Sequence, residues 1–282
     1  MLLNATRTPG RDRAPATRSA RRRSGPAAPG RWIDLSAPTE SSPSEATEVQ
    51  IDVLDHSAGA AVLGMGRLAP SDFPDGLAIS NETVTLTTHT GTHMDAPLHY
   101  GPASAGRPAR AIDEVPLHWC HGPGVRLDVR HVPAGDGITV DHVRAALAGA
   151  DHALAAGDVV LLWTGADLLW GRREYLTDFP GLTGAATRFI LDAGVHVIGI
   201  DAWGLDRPMQ RMIDDYEASG DRSLLWPAHM VGREIEYLQL EKLAGLAALP
   251  GPTGFAVLCF PVRVSGAGAA WTRVVADAGP TP

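Results

Sequence analysis

The chain has 282 residues, 44% of them hydrophobic and 20% charged, with a formal net charge of −8. That length buries one good-sized core or two small ones, and no apolar run approaches the ~20 residues of a membrane helix, which argues against a membrane protein. With only Cys120 and Cys259 the sequence holds no disulfide framework, which fits a reducing compartment and a cytoplasmic protein.

Residues 1–31 carry eight arginines and one acid, Asp12. They are rich in Pro, Ala, Ser and Gly with almost nothing to bury, so they read as a disordered tail. Arg21, Arg22 and Arg23 resemble a twin-arginine export signal, but no apolar segment follows them. The remaining 251 residues (32–282) hold 16 basic and 31 acidic residues, and this acidic body argues against a nucleic-acid partner.

The folded body is expected over residues 32–282, beginning near Trp32. Val49–Leu54 and the β-branched run Glu82–Thr88 predict strands. Asp141–Leu154 has helical spacing, and Asp158–Trp163 is a continuous apolar run that predicts a buried strand. Thr183–Ala193 predicts a helix ended by Gly194, and Val195–Ile200 another buried strand. Phe255–Val264 and Trp271–Ala276 predict the closing strands. Strands and helices mix without a regular alternation, which predicts a single α/β domain.

The informative stretch is Thr87–Tyr100, TTHTGTHMDAPLHY, with three histidines and an aspartate within eleven residues. His and Asp together suit a borderline divalent cation such as Zn²⁺ or Mn²⁺. His89 and His93 are four apart and would share a helix face. The threonines, Gly91 and Pro97 oppose a helix. A strand running into a glycine-containing turn brings His89, His93 and Asp95 toward one point instead. His99 follows as a further ligand or a general acid–base. The scattered histidines, such as His56, His118 and His152, read as ordinary surface or core residues.

Two or three ligands do not close a metal site, so others must come from elsewhere. Trp226–Leu249 offers His229, Glu234, Glu236 and Glu241. Glu234 and Glu236 read as a solvated face, and nothing in the spacing alone selects Glu241.

The run His89-Thr-Gly-Thr-His93-Met-Asp95-Ala-Pro-Leu-His99 closely resembles the HxGTHxDxPxH signature of the cyclase family, which includes bacterial kynurenine formamidases, isatin hydrolases and polyketide cyclases. Ile33–Ser36 resembles the family's opening strand, His229 followed twelve residues later by Glu241 its later ligand segment, and Gly254–Gly266 with Trp271–Arg273 its closing strands. The resemblance implies a swivelling β/β/α domain, often a homo-oligomer such as a dimer or tetramer. It also implies one or two divalent cations per chain, Zn or Mn. His89, His93, Asp95 and Glu241 would hold one cation. Asp95, His229 and Glu241 would hold a second, and His99 would be the catalytic acid–base.

No Trp-Pro-Gly-Asp-like element of the formamidases follows the opening strand, and Asp201–Pro208 looks like the polyketide-cyclase branch. The leading expectation is therefore a metal-dependent cyclase closing a ring on an aromatic polyketide-type small molecule, with Tyr100, Trp203 and Trp226 lining its pocket. The alternative is an amidohydrolase of the formamidase or isatin hydrolase kind. A non-catalytic metal-binding relative is the third reading, opposed by the intact ligand set.

Overall fold

The computed structural model describes residues 30–280. The expected tail lies outside the described residues except for Gly30 and Arg31. Those two already belong to the first strand, Gly30–Asp34, so the folded body starts earlier than Trp32. That strand pairs antiparallel with Val275–Pro280 at the far end of the chain.

Nine strands form one sheet, in the order Gly30–Asp34, Val275–Pro280, Ala256–Leu258, His121–Asp128, Val159–Trp163, Val197–Ile200, Leu238–Glu241, His93–Asp95 and Ala269–Trp271. The four strands from His121–Asp128 to Leu238–Glu241 are parallel, and the flanking pairs are antiparallel. Parallel neighbours need crossovers. The helices Val140–Gly149, Gly184–Leu191 and Met209–Ser219 lie in those connections.

The central strands are covered on both faces. Val160, Leu162 and Ile198 pack with Val143, Leu147 and Ile190 of the helices. Val159, Leu161 and Leu240 face a second core shared with Ile33, Met94, Val257 and Ala276. Burial on both faces is why Asp158–Trp163 reads as unbroken apolar sequence rather than as alternation. The second core draws side chains from both ends of the sheet, so the sheet is curled. At the closure Ala244 N donates to Leu35 O at 3.0 Å.

The helix expected over Asp141–Leu154 is Val140–Gly149, capped by Thr139, and Gly184–Leu191 is capped by Thr183. Gly194 ends the latter segment with φ +87. The closing strands need correction. Phe255–Val264 is a strand only over Ala256–Leu258, and Trp271–Ala276 divides into Ala269–Trp271 and Val275–Pro280, on opposite flanks of the sheet. The eight-residue strand His121–Asp128 has no counterpart among the sequence-based expectations, because Gly122, Pro123 and Gly124 look like turn residues. Gly124 is there for close approach: a Cβ would meet the Phe255 ring at 2.0 Å.

The strands expected at Val49–Leu54 and Glu82–Thr88 are Gln50–Leu54 and Asn81–Thr85, which pair with each other only. With the helix His56–Leu63 they form an arm that leaves Val53, Val62, Met65 and Leu68 exposed.

Candidate metal centre

The centre is built on strand register. His93 and Asp95 are two apart on one strand, so their side chains share a face. Glu241 lies directly across from His93 on the neighbouring strand. Facing partners point the same way, and His93 Nε2 comes 3.5 Å from Glu241 Oε2 and 3.5 Å from Asp95 Oδ1. The three residues are buried.

His89 arrives from the preceding turn. Gly91 at φ +60 reverses the chain there, a conformation few other residues adopt. His89 Nδ1 then lies 3.0 Å from Asp95 Oδ1. His99 comes from the one-turn helix Pro97–Tyr100, its ring centroid 4.3 Å from that of His89. His229 stands on the short helix Pro227–Val231, with Nε2 3.9 Å from Glu241 Oε1. The expected ligands His89, His93, Asp95 and Glu241 are thus gathered with His99, and His229 sits at the rim.

Within this cluster the buried atoms His93 Nε2 and Asp95 Oδ2 have no hydrogen-bond partner, and Asp95 Oδ1 meets the His89 ring in an ion-pair contact without hydrogen-bond geometry. Buried polar atoms are rarely left so. Here they converge without bonding to one another, and borderline nitrogen with carboxylate oxygen is a donor set for a divalent cation. Two groups, His93–Asp95–Glu241 and His89–Asp95–His99, each bring their ligand atoms within 4.8 Å of one another and share Asp95. The outer ring nitrogens are anchored. His93 Nδ1 lies 2.9 Å from Gly91 O and His229 Nδ1 2.5 Å from Asp206 Oδ2. A donated Nδ1–H leaves Nε2 as the free lone pair.

Charge is balanced by proximity. Burial alone would raise the Asp95 carboxyl, but the charge of His93, a contact from His89 and the charge of His99 outweigh it and hold it well below the usual range. Glu241 is lowered too: burial and Asp95 push it up, and His93 and His229 bring it down further. Burial lowers the His99 imidazole, against the upward pull of the Asp95 charge.

The cluster opens onto a cavity of about 240 Å³ whose apolar wall includes Phe179, Trp203, Met209, Met212 and Trp226. Trp226 stacks on His229 at 4.2 Å and lies edge-on to His99 at 5.4 Å. Tyr100 is a correction. It is fully buried and does not line the cavity; its ring stacks on Tyr237 and its hydroxyl donates to Asp95 O at 3.2 Å. Glu234 and Glu236 stay outside the cluster, paired with Arg188 and Arg110.

Sequence reasoning missed the acids that hold the His229 ring and the neighbouring turn. Asp206 accepts from Ala228 N and His229 N as well as touching the His229 ring. Asp201 accepts from Thr164 N, Thr164 Oγ1 and Gly165 N, tying the turn after Val159–Trp163. The Asp201–Pro208 segment, which the sequence suggested as a mark of substrate, spends both acids on scaffolding. Lys242 is the one missed residue with a sequence signal, as the only lysine in the chain and the neighbour of Glu241.

A curled α/β sheet carrying buried His, Asp and Glu side chains at the mouth of an apolar cavity has the make-up of a metal-dependent enzyme. Residues 33–207 match the family model described as "Putative cyclase", and the chain belongs to the cyclase family. It is 28% identical over 209 residues to a kynurenine formamidase of Salinibacter ruber, covering 74% of this chain and 84% of that protein. It is 27% identical over 179 residues to a kynurenine formamidase of Delftia acidovorans, covering 62% and 74%. Isatin hydrolase A from Ralstonia solanacearum shares the fold with a TM-score of 0.68 at 22% identity, over 87% of this chain and 91% of that one.

Proposed function

We propose that this protein hydrolyses an amide, lactam or N-formyl bond on a small aromatic substrate. The observation that carries the reading is the set of unpartnered buried ligand atoms on His93 and Asp95, opening onto a small apolar cavity. His89, His93, Asp95 and Glu241 hold one divalent cation, Zn or Mn, and Asp95, Glu241 and His229 take part where there are two. When bound, the cation supplies a Lewis acid that polarises the carbonyl and lowers the pKa of water. His99 moves the proton, taking it from the attacking water and delivering it to the leaving nitrogen. Trp203 and Trp226 flank the aromatic part of the substrate.

Ring closure on a polyketide, the leading expectation from sequence, is less well supported than hydrolysis. Of its two grounds, the Asp201–Pro208 segment spends both its acids on backbone contacts and brings only Trp203 to the cavity wall as an aromatic surface. The cavity of about 240 Å³ is small for a folded polyketide; clefts for drug-sized ligands run roughly 300–1,000 Å³. The relatives named kynurenine formamidase favour hydrolysis. The direct test is turnover of N-formylkynurenine and isatin by metal-loaded protein. Metal at one or two ions per chain with no hydrolysis of either sinks the reading and returns the search to cyclisation.

The same reading includes self-association and a cytoplasmic setting. The arm supports the first, since exposed apolar side chains on an isolated hairpin are a common mark of an interface. Sedimentation of a monomer would refute it. The free, buried thiols of Cys120 and Cys259 fit the second. Among the described residues no helix is long and apolar enough to cross a membrane.

A further inference from the structure

We infer that Lys242 and Glu45 form a clasp that positions His89 for metal binding, an inference that rests on the ligand assignment above. Lys242 Nζ lies 2.6 Å from Glu45 Oε2 and donates to His89 O at 2.8 Å. The other oxygen of Glu45 accepts from Gly91 N at 2.8 Å. The pair therefore grips the ligand turn at two backbone points, one on each side of Thr90. Both side chains are almost fully buried, 4% and 3% exposed.

The main-chain path of Lys242 is unusual in the same sense. Glu241 ends a strand, so Lys242 should point to the opposite face. Its φ of +57, a region sparsely populated by residues other than glycine, breaks that alternation. Both consecutive side chains consequently line one cavity. The backbone of Lys242 is itself pinned, with N donating to Ala202 O and O accepting from Thr92 Oγ1. One residue thus ties the Glu241 strand to the turn that carries His89.

His89 is the ligand that needs such help. His93 and Asp95 are fixed by strand pairing on both sides. The His89 side chain is 35% exposed and no strand pairing holds its turn. Without the clasp its ring would sample positions away from Asp95. Groups that orient a ligand commonly change metal affinity by ~10–100-fold. Lys242 and Glu45 are positioning residues in this scheme, their contacts bracketing the turn that carries His89.

The test is titration of the metal-stripped full-length chain with Mn²⁺, followed by the EPR signal of the free ion. Lys242→Met alone leaves a buried unpaired carboxylate and is a poor probe, because that by itself destabilises. The double variant Lys242→Met/Glu45→Gln removes both charges and keeps an acceptor for Gly91 N. It is expected to melt near the wild type yet bind Mn²⁺ ~10–100-fold more weakly. On a His89→Ala background the same double change should add nothing, since its effect passes through His89. Mn²⁺ affinity within twofold of wild type, or a loss undiminished without His89, overturns the clasp. Asp95→Ala is the control: if that variant still binds Mn²⁺, the ligand assignment fails rather than the clasp.

Discussion

The strand-held and the loop-held halves of the proposed metal centre are fixed by different means. His93, Asp95 and Glu241 stand on adjacent strands, where main-chain pairing sets each side chain against the next. His89 and His229 stand on a turn and a five-residue helix. Each leans on acids and bases far along the chain, His89 on Lys242 with Glu45 and His229 on Asp206. The first half is specified by local sequence plus register. The second is specified by remote side chains, and it can be weakened without touching a ligand.

The largest effect should break the strand-held half. Asp95 is shared by both candidate ligand groups, so Asp95→Ala is expected to lose metal and turnover together. Elemental analysis of the purified variant checks this, and wild-type metal content would move the centre elsewhere.

Next is the division between binding and chemistry. His99→Ala should keep its metal and lose ~10²–10⁴-fold in turnover, the range for a general acid–base. His99 also lies in one candidate group with His89 and Asp95. An equal fall in metal content would therefore make it a ligand and hand the proton transfer to another group.

The loop-held half gives a smaller, graded response. Asp206→Ala frees the His229 ring and uncaps the helix Pro227–Val231. A lost cap costs about 1 kcal/mol, and a lost orienting group weakens metal binding by ~10–100-fold where a second ion is held. Thermal melting with and without metal separates the two. A variant whose melting temperature falls but whose metal dependence is unaltered would make Asp206 purely structural.

The smallest effect sharpens the comparison by contrast. Glu234 pairs with Arg188 at 2.6 Å on the surface. Such pairs contribute roughly 0–1 kcal/mol. Glu234→Gln should thus leave metal content unchanged, whereas Glu241→Gln should lower it. The reverse pattern would mean the wrong glutamate faces the centre.

The sequence by itself determined the chemistry on offer and the middle of the sheet. His89, His93, Asp95 and His99 are legible because they crowd one short segment around Gly91. Asp158–Trp163 and Val195–Ile200 are legible because burial on both faces leaves an unbroken apolar run. Tertiary structure alone decided the rest. Spacing alone did not separate Glu241 from Glu234 and Glu236, which only the family resemblance distinguished; the structure gives the physical reason by pairing Glu241 across from His93. It turned Tyr100 into the core while Trp203 and Trp226 reached the cavity. It joined Lys242 to Glu45 across 197 positions of sequence. Periodicity and spacing report on neighbours along the chain. Such long-range contacts depend on which strands the crossovers bring side by side, and no local pattern encodes that choice.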